Sequence, residues 1–226
     1  MHVDDEVVVK NSKIIIGDYV SIEVGKETPQ YTPIALSLNE DDLRFESIER
    51  KHLNQLLKKA WFIILIMDLK DSIYDLMMKN TYLRNQVTKV KGLLRRYVEG
   101  SVSKDVVISE LSKLLGAGAG FTPSSDDYLS GLLGFFNIYL VKYRVAEPIY
   151  IPLKVLEERT TWVSSRLINY SQHGLLIEPL DEAVTSLLKG DLNSLYDAFL
   201  KLFSVGHTSG LDMFLGVIDS TMVLQK

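Results

Sequence analysis

Residues 116–133 read GAGAGFTPSSDDYLSGLL, and a later stretch, residues 206–216, reads GHTSGLDMFLG. In both, a glycine precedes a variable residue and a threonine, and the same spaced set follows: Ser124, Asp127 and Gly131 in the first, Ser209, Asp212 and Gly216 in the second. Ser-x-x-Asp ahead of an apolar run is a variant of the capping box, in which the hydroxyl accepts from an amide of the first turn and the carboxylate reaches back. The glycine seven residues on lies on the same side of the helix, two turns in, where the backbone of another helix can approach. The pair therefore predicts two capped helices packed closely through Gly131 and Gly216, with their N-termini facing one cavity.

Around these turns the C-terminal half is helical by its apolar spacing. Val155, Leu156, Trp162, Val163, Leu167 and Tyr170 line one helix that Gly174 can end. Leu180 to Leu188 line a second, ending at Gly190, and Leu192 to Phe203 a third, with Asp191 placed to cap it. Upstream, Leu83, Val87, Val90, Leu94 and Tyr97 mark a helix ending near Gly100; another is expected between Ser103, as its cap, and Gly116. Leu53, Leu56, Leu57 and Ala60 form a helical stripe running into Trp61–Met67, which reads equally as helix or buried strand. The first forty residues differ. Val7–Val9, Ile14–Ile16, Tyr19–Val24 and Ile34–Leu38 are short β-branched runs separated by turn formers, which predicts a small antiparallel sheet. The fold class is α+β: an N-terminal β region over residues 1–42 and a mostly α-helical region over 43–226, expected to share one core as one folding unit.

Composition narrows the chemistry. The 226 residues are 46% apolar and 24% charged, enough for a core without staples. With no cysteine, disulfides, thiolate metal sites and cysteine nucleophiles are excluded, and a cytoplasmic location is expected. The acidic Asp4-Asp5-Glu6 run lacks the basic-then-apolar order of a signal peptide, and neither long apolar run is long enough for a membrane span. A net charge of -4 argues against attraction to nucleic acid by the whole molecule. Locally, Lys79, Arg84, Lys89, Lys91, Arg95 and Arg96 fall in a stretch without acids, which suits a solvated face or an acidic partner.

Capping does not account for everything in the first turn. Gly116, Gly118 and Gly120 alternate there, and Thr122, Ser125 and Asp126 exceed what one cap needs. Alternating glycines let successive amides point at a phosphate or carboxylate. Because Asp126 and Asp127 occupy the helix end and would repel an anion, the anion is expected on the amides of residues 118–122. The carboxylates can hold a bridging Mg²⁺ or orient a polar neutral group instead. In the second turn His207 stands between Gly206 and Thr208, where a neutral imidazole can take a proton or a packing residue can sit. His2 and His52 read as surface, and His173 as complementing a helix C-terminus.

These two turns, with Thr160–Ser165 between them, resemble the family of the oxamate carbamoyltransferase subunit AllH. Its first motif is similar to Gly-x-Gly-x-Gly-Leu-Thr-Pro-Ser-Gly-Asp-Asp; here Phe121 replaces the leucine, Ala119 stands where proline is common, and Ser125 replaces a glycine. The resemblance covers the C-terminal half and implies a subunit of a multi-protein enzyme that moves a carbamoyl group between phosphate and oxamate or a related amide. With it, the expected catalytic groups are His207, Asp126, Asp127 and Asp212. The expected substrate contacts are Gly118, Gly120, Thr122, Ser124, Ser125, Thr208, Ser209 and Gly210. Partners are then other enzyme subunits and a small anionic substrate, with a homo-oligomer also open. The alternative is an assembly subunit whose motifs only cap and pack helices.

Overall fold

The computed structural model describes residues 7–10, 13–16, 20–23, 25, 32–45, 55, 58 and 69–225. The helical stripe at Leu53–Ala60, most of whose residues are not described, the Trp61–Met67 segment, His2 and His52 lie outside these. Two compact units, Met1–Thr32 and Pro33–Lys226, make up the chain.

In the first unit β1 (Val7–Lys10), β2 (Lys13–Ile16) and β3 (Val20–Glu23) form an antiparallel meander in that order. Val7 stands opposite Ile16, and Lys13 opposite Glu23, whose side chains pair at 3.3 Å. The β-branched Val8, Ile14, Ile15, Val20 and Ile22 suit a pleated surface.

The second unit is helical. It begins with α1 (Ile34–Ser37), where the sequence predicted a fourth strand. The correction has a tertiary cause: the amides of Ile34 and Ala35 donate to the buried carboxylate of Asp181 at 2.6 and 3.0 Å, which takes two of the donors a helix start leaves open. α2 (Ile73–Lys79) and α3 (Thr81–Val98) follow, capped by Ser72 and Asn80. α4 (Lys104–Leu111) stops short of Gly116, and Ser103 stands at its N-cap without a side-chain cap bond. α5 (Ser124–Lys142) is buried from Ser124 to Leu140, so its apolar residues run all round it.

The single helix expected from Val155 to Tyr170 is two, α6 (Leu153–Arg159) and α7 (Trp162–Gln172). Thr160 between them is extended, and the Thr161 hydroxyl caps α7 by accepting from Ser164. α8 (Glu178–Lys189) ends at Gly190 with φ 70°, and Asp191 caps α9 (Leu192–Phe203) as expected. α10 (Ser209–Leu224) lies against α5.

That contact is close because of two glycines. A Cβ on Gly131 would lie 1.9 Å from the Met213 carbonyl oxygen, and one on Gly216 would lie 2.1 Å from that of Tyr128. No side chain fits, so the helix backbones touch. Ser220 fastens the same seam by donating to the Leu132 carbonyl at 2.6 Å. On the other side of α5, Asn137 and Gln172 bond the backbone of Ile149 and Ile151, which satisfies an extended segment inside the core.

Candidate functional site

The first glycine turn is held from beneath and open above. The Gly116 amide donates to Asp126 Oδ1 at 2.9 Å, and Ala117 exchanges bonds with Ser125: its amide donates to Ser125 Oγ and its carbonyl accepts from the Ser125 amide. Gly118 has φ 128°, and a Cβ there would stand 2.7 Å from the Ser124 amide nitrogen. Glycine is thus required by both conformation and space. Phe121 is 72% exposed, while its carbonyl accepts from the Thr161 hydroxyl at 2.8 Å. The amides of residues 118–122 donate to no acceptor among the described residues.

Pro123 then opens α5, and this overturns the first capping box. Ser124 is the first helical residue and its hydroxyl donates to the Asp71 carbonyl at 2.7 Å. Asp127 does not reach back to the N-cap. At α10 the N-cap is Thr208, without a side-chain cap bond; Ser209 instead meets Thr122, with Oγ and Oγ1 3.3 Å apart. The shared spacing therefore serves the glycine crossing and the placement of acids rather than capping. It does bring both helix N-termini together.

Three carboxylates are buried there, with different surroundings. Asp126 accepts from Gly116 and from the Thr160 hydroxyl; burial raises its pKa, and those donors together with Ser164 oppose the shift. Asp212 Oδ1 accepts from the Ile73 amide at the start of α2 at 2.7 Å, but Oδ2 has no hydrogen-bond partner among the described residues. Its pKa is pushed up to about 7, chiefly by burial, with the Asp127 charge adding to the rise. Asp127 is 1% exposed, and neither oxygen has a hydrogen-bond partner among the described residues. Burial pushes its pKa to about 6; the Ser209 and Thr122 hydroxyls lean toward it and favour the charged form without reaching hydrogen-bond geometry.

Other expected residues fall on either side of this arrangement. Ser124, Ser125 and Gly210 are buried and used within the fold: a Cβ on Gly210 would strike the Leu202 carbonyl at 1.7 Å. Gly118 and Gly120 are exposed, Thr122, Thr208 and Ser209 half-buried, and His207 is exposed on the turn before α10, with no hydrogen bond to the described residues. His173 stacks on Tyr150, ring centroids 4.4 Å apart, and bonds the Asn169 carbonyl. In the basic stretch Lys79, Lys89 and Lys91 pair with Asp75, Glu110 and Asp219, and Arg95 donates to the Met222 carbonyl. Among the described residues no group of three or more His, Asp or Glu is arranged to hold a metal ion. No described helix is long and apolar enough to cross a membrane.

The sequence reading missed the part α2 plays. The Asp71 carbonyl and the Ile73 amide both reach the site, and their one local sign is Ser72-x-x-Asp75, where the Ser72 hydroxyl accepts from the Asp75 amide and caps the helix.

No solved structure matches the chain. The segment from 114 to 221 holds both glycine turns, the Thr160–Thr161 break and the three aspartates buried at the helix crossing, and it is this segment that matches the family model described as oxamate carbamoyltransferase subunit AllH.

Proposed function

We propose that this chain is an AllH-like subunit of a carbamoyltransferase-type enzyme, acting in the cytoplasm with other protein subunits on a small anionic substrate. The observation that carries the reading is the open row of amides at residues 118–122 standing beside a buried carboxylate that has no hydrogen-bond partner among the described residues. Amides left unpaired on an exposed loop suit a phosphate or carboxylate. A carboxylate left unpaired in the interior is costly, and such groups concentrate where chemistry is done.

Carbamoyl transfer passes through a tetrahedral intermediate, so it needs donors for the developing oxyanion and a group to accept a proton from the attacking amide nitrogen. Thr208 and the loop amides supply the donors. Two groups can take the proton: His207 from the solvent side, and Asp127 from beneath. Asp126 holds Gly116 and Thr160, and Asp212 fixes α2 against α10; both position the site.

The test is a reconstituted complex of this chain with the proteins that copurify with it, assayed for phosphate release from carbamoyl phosphate with oxamate or related amides. Gly118→Ala is expected to lower substrate affinity at least tenfold by disturbing the loop, and His207→Ala reports how far the imidazole takes part. Failure of every carbamoyl acceptor to turn over would leave the two turns as packing devices of an assembly subunit.

A further inference from the structure

We propose that the hydroxyls of Thr122 and Ser209 form a proton relay from a ligand on the 118–122 loop to the carboxylate of Asp127 beneath them. This rests on the loop being ligand-bearing, and it deepens that reading by making Asp127 rather than His207 the destination of the proton.

Most polar side chains at the helix crossing are already engaged. Asp126 accepts from Gly116 and Thr160, Ser124 donates to Asp71, Ser125 accepts from Ala117, and one oxygen of Asp212 accepts from Ile73. Both oxygens of Asp127 lack a hydrogen bond to any described residue, in a place that water does not reach. Leaving an acid so is expensive unless something transient completes it. Two hydroxyls stand in position to do so. Thr122 comes from the first turn and Ser209 from the second, 3.3 Å apart and both half-buried. A ligand on the exposed loop can therefore touch the hydroxyls, whereas the carboxylate is out of its reach.

The charges facing Asp127 agree with this role. On its own helix the neighbour is Asp126, and across the crossing it is Asp212, both acidic. From α2 the Ile73 amide is spent on Asp212, and Asp75 is paired with Lys79; from the α6–α7 break, Thr160 is spent on Asp126. Burial, with the Asp126 charge adding to it, pushes the Asp127 pKa up to about 6, within reach of neutrality.

For transfer from an acyl phosphate such as carbamoyl phosphate to an amide, the bookkeeping closes without a further reactant. The amide nitrogen gives its proton to one hydroxyl as the hydroxyl pair passes a proton to Asp127. The nitrogen electron pair forms the N–C bond, the C–O bond to phosphate breaks, and the phosphate leaves with that bonding pair. The proton held on Asp127 then returns by the same hydroxyls to the departing phosphate.

The experiment follows the Asp127 carboxyl by carbon-13 NMR through a pH titration, the signal being assigned with Asp127→Asn. Wild type is compared with the Thr122→Val/Ser209→Ala double variant, or with the single variants if the double variant does not fold. In the ligand-free protein, loss of the hydroxyls is expected to raise the midpoint by about one pH unit, because donors to the charged form are removed. Saturating oxamate should then move the midpoint in wild type and leave it in place in the double variant. An unchanged ligand-free midpoint, or oxamate that binds without moving it in wild type, overturns the relay. If phosphate, carbamoyl phosphate and oxamate all fail to bind wild type, the loop reading fails instead, and the ligand-free titration still decides whether the hydroxyls couple to Asp127.

Discussion

Asp126 and Asp127 are neighbours in sequence and equally buried, yet one is satisfied and the other is not. The difference lies in the roughly 100° of rotation between adjacent helix positions: Asp126 faces the Gly116 amide and the Thr160 hydroxyl, whereas Asp127 faces the crossing with α10. A carboxylate whose pKa is higher folded than unfolded binds more protons in the folded state, so its contribution falls as pH rises between the two values. For Asp127 that window runs from the ordinary 3.8 to about 6, and for Asp212 from 3.8 to about 7. The folded protein is thus expected to lose stability between pH 4 and 7. Asp127→Asn should remove part of this loss, stabilising the protein at pH 8 by on the order of 3 kcal/mol, at about 1.4 kcal/mol per unit, and changing little at pH 4. Denaturant unfolding at the two pH values measures it; equal effects of the substitution at both would show that the carboxylate does not ionise at a cost.

Among the described elements, the α5–α10 seam is closed to side chains at two facing glycines, Gly131 and Gly216. Gly216→Ala would put a methyl 2.1 Å from a backbone oxygen and 2.5 Å from the Leu132 amide nitrogen, so the helices must separate; about 3 kcal/mol or more of stability is expected to be lost. Gly92→Ala serves as the contrast. Gly92 lies inside α3 with nothing within 4 Å of its added methyl, and helix propensity alone should give about 0.5–1 kcal/mol of stabilisation. Thermal unfolding of the two variants tests both signs.

The glycines show what was legible. Helix ends at Gly100, Gly174 and Gly190 could be read because each adopts positive φ, a local need that glycine announces. The crossing at Gly131 and Gly216 could be read because the spacing repeats. The identity of α1 could not, since it depends on Asp181, some 146 residues away in sequence. Nor could the break at Thr160 and Thr161, across which the apolar spacing continues. The capping reading failed for a third reason: Pro123 takes the cap position and turns Ser124 toward Asp71.

Across the whole molecule, the same residues that looked like a basic face are partly consumed by the fold. Lys91 shares Asp219 with Tyr128, and Glu110 accepts from Gln86, Lys113 and Lys89, which lower its pKa to about 2. Charge counted along a chain overstates what the surface offers, because pairing is decided between elements. What the surface does offer beside the candidate site is aromatic. Trp162 is 71% exposed and follows directly on Thr161, whose hydroxyl grips the carbonyl of Phe121. An indole so placed is a built-in lamp on the loop: in a Trp61→Phe variant the remaining emission comes from Trp162, the chain's second tryptophan. Occupation of the loop by phosphate or oxamate should change its intensity and its quenching by iodide, so that arrival and departure of a ligand can be timed by stopped-flow fluorescence without any label.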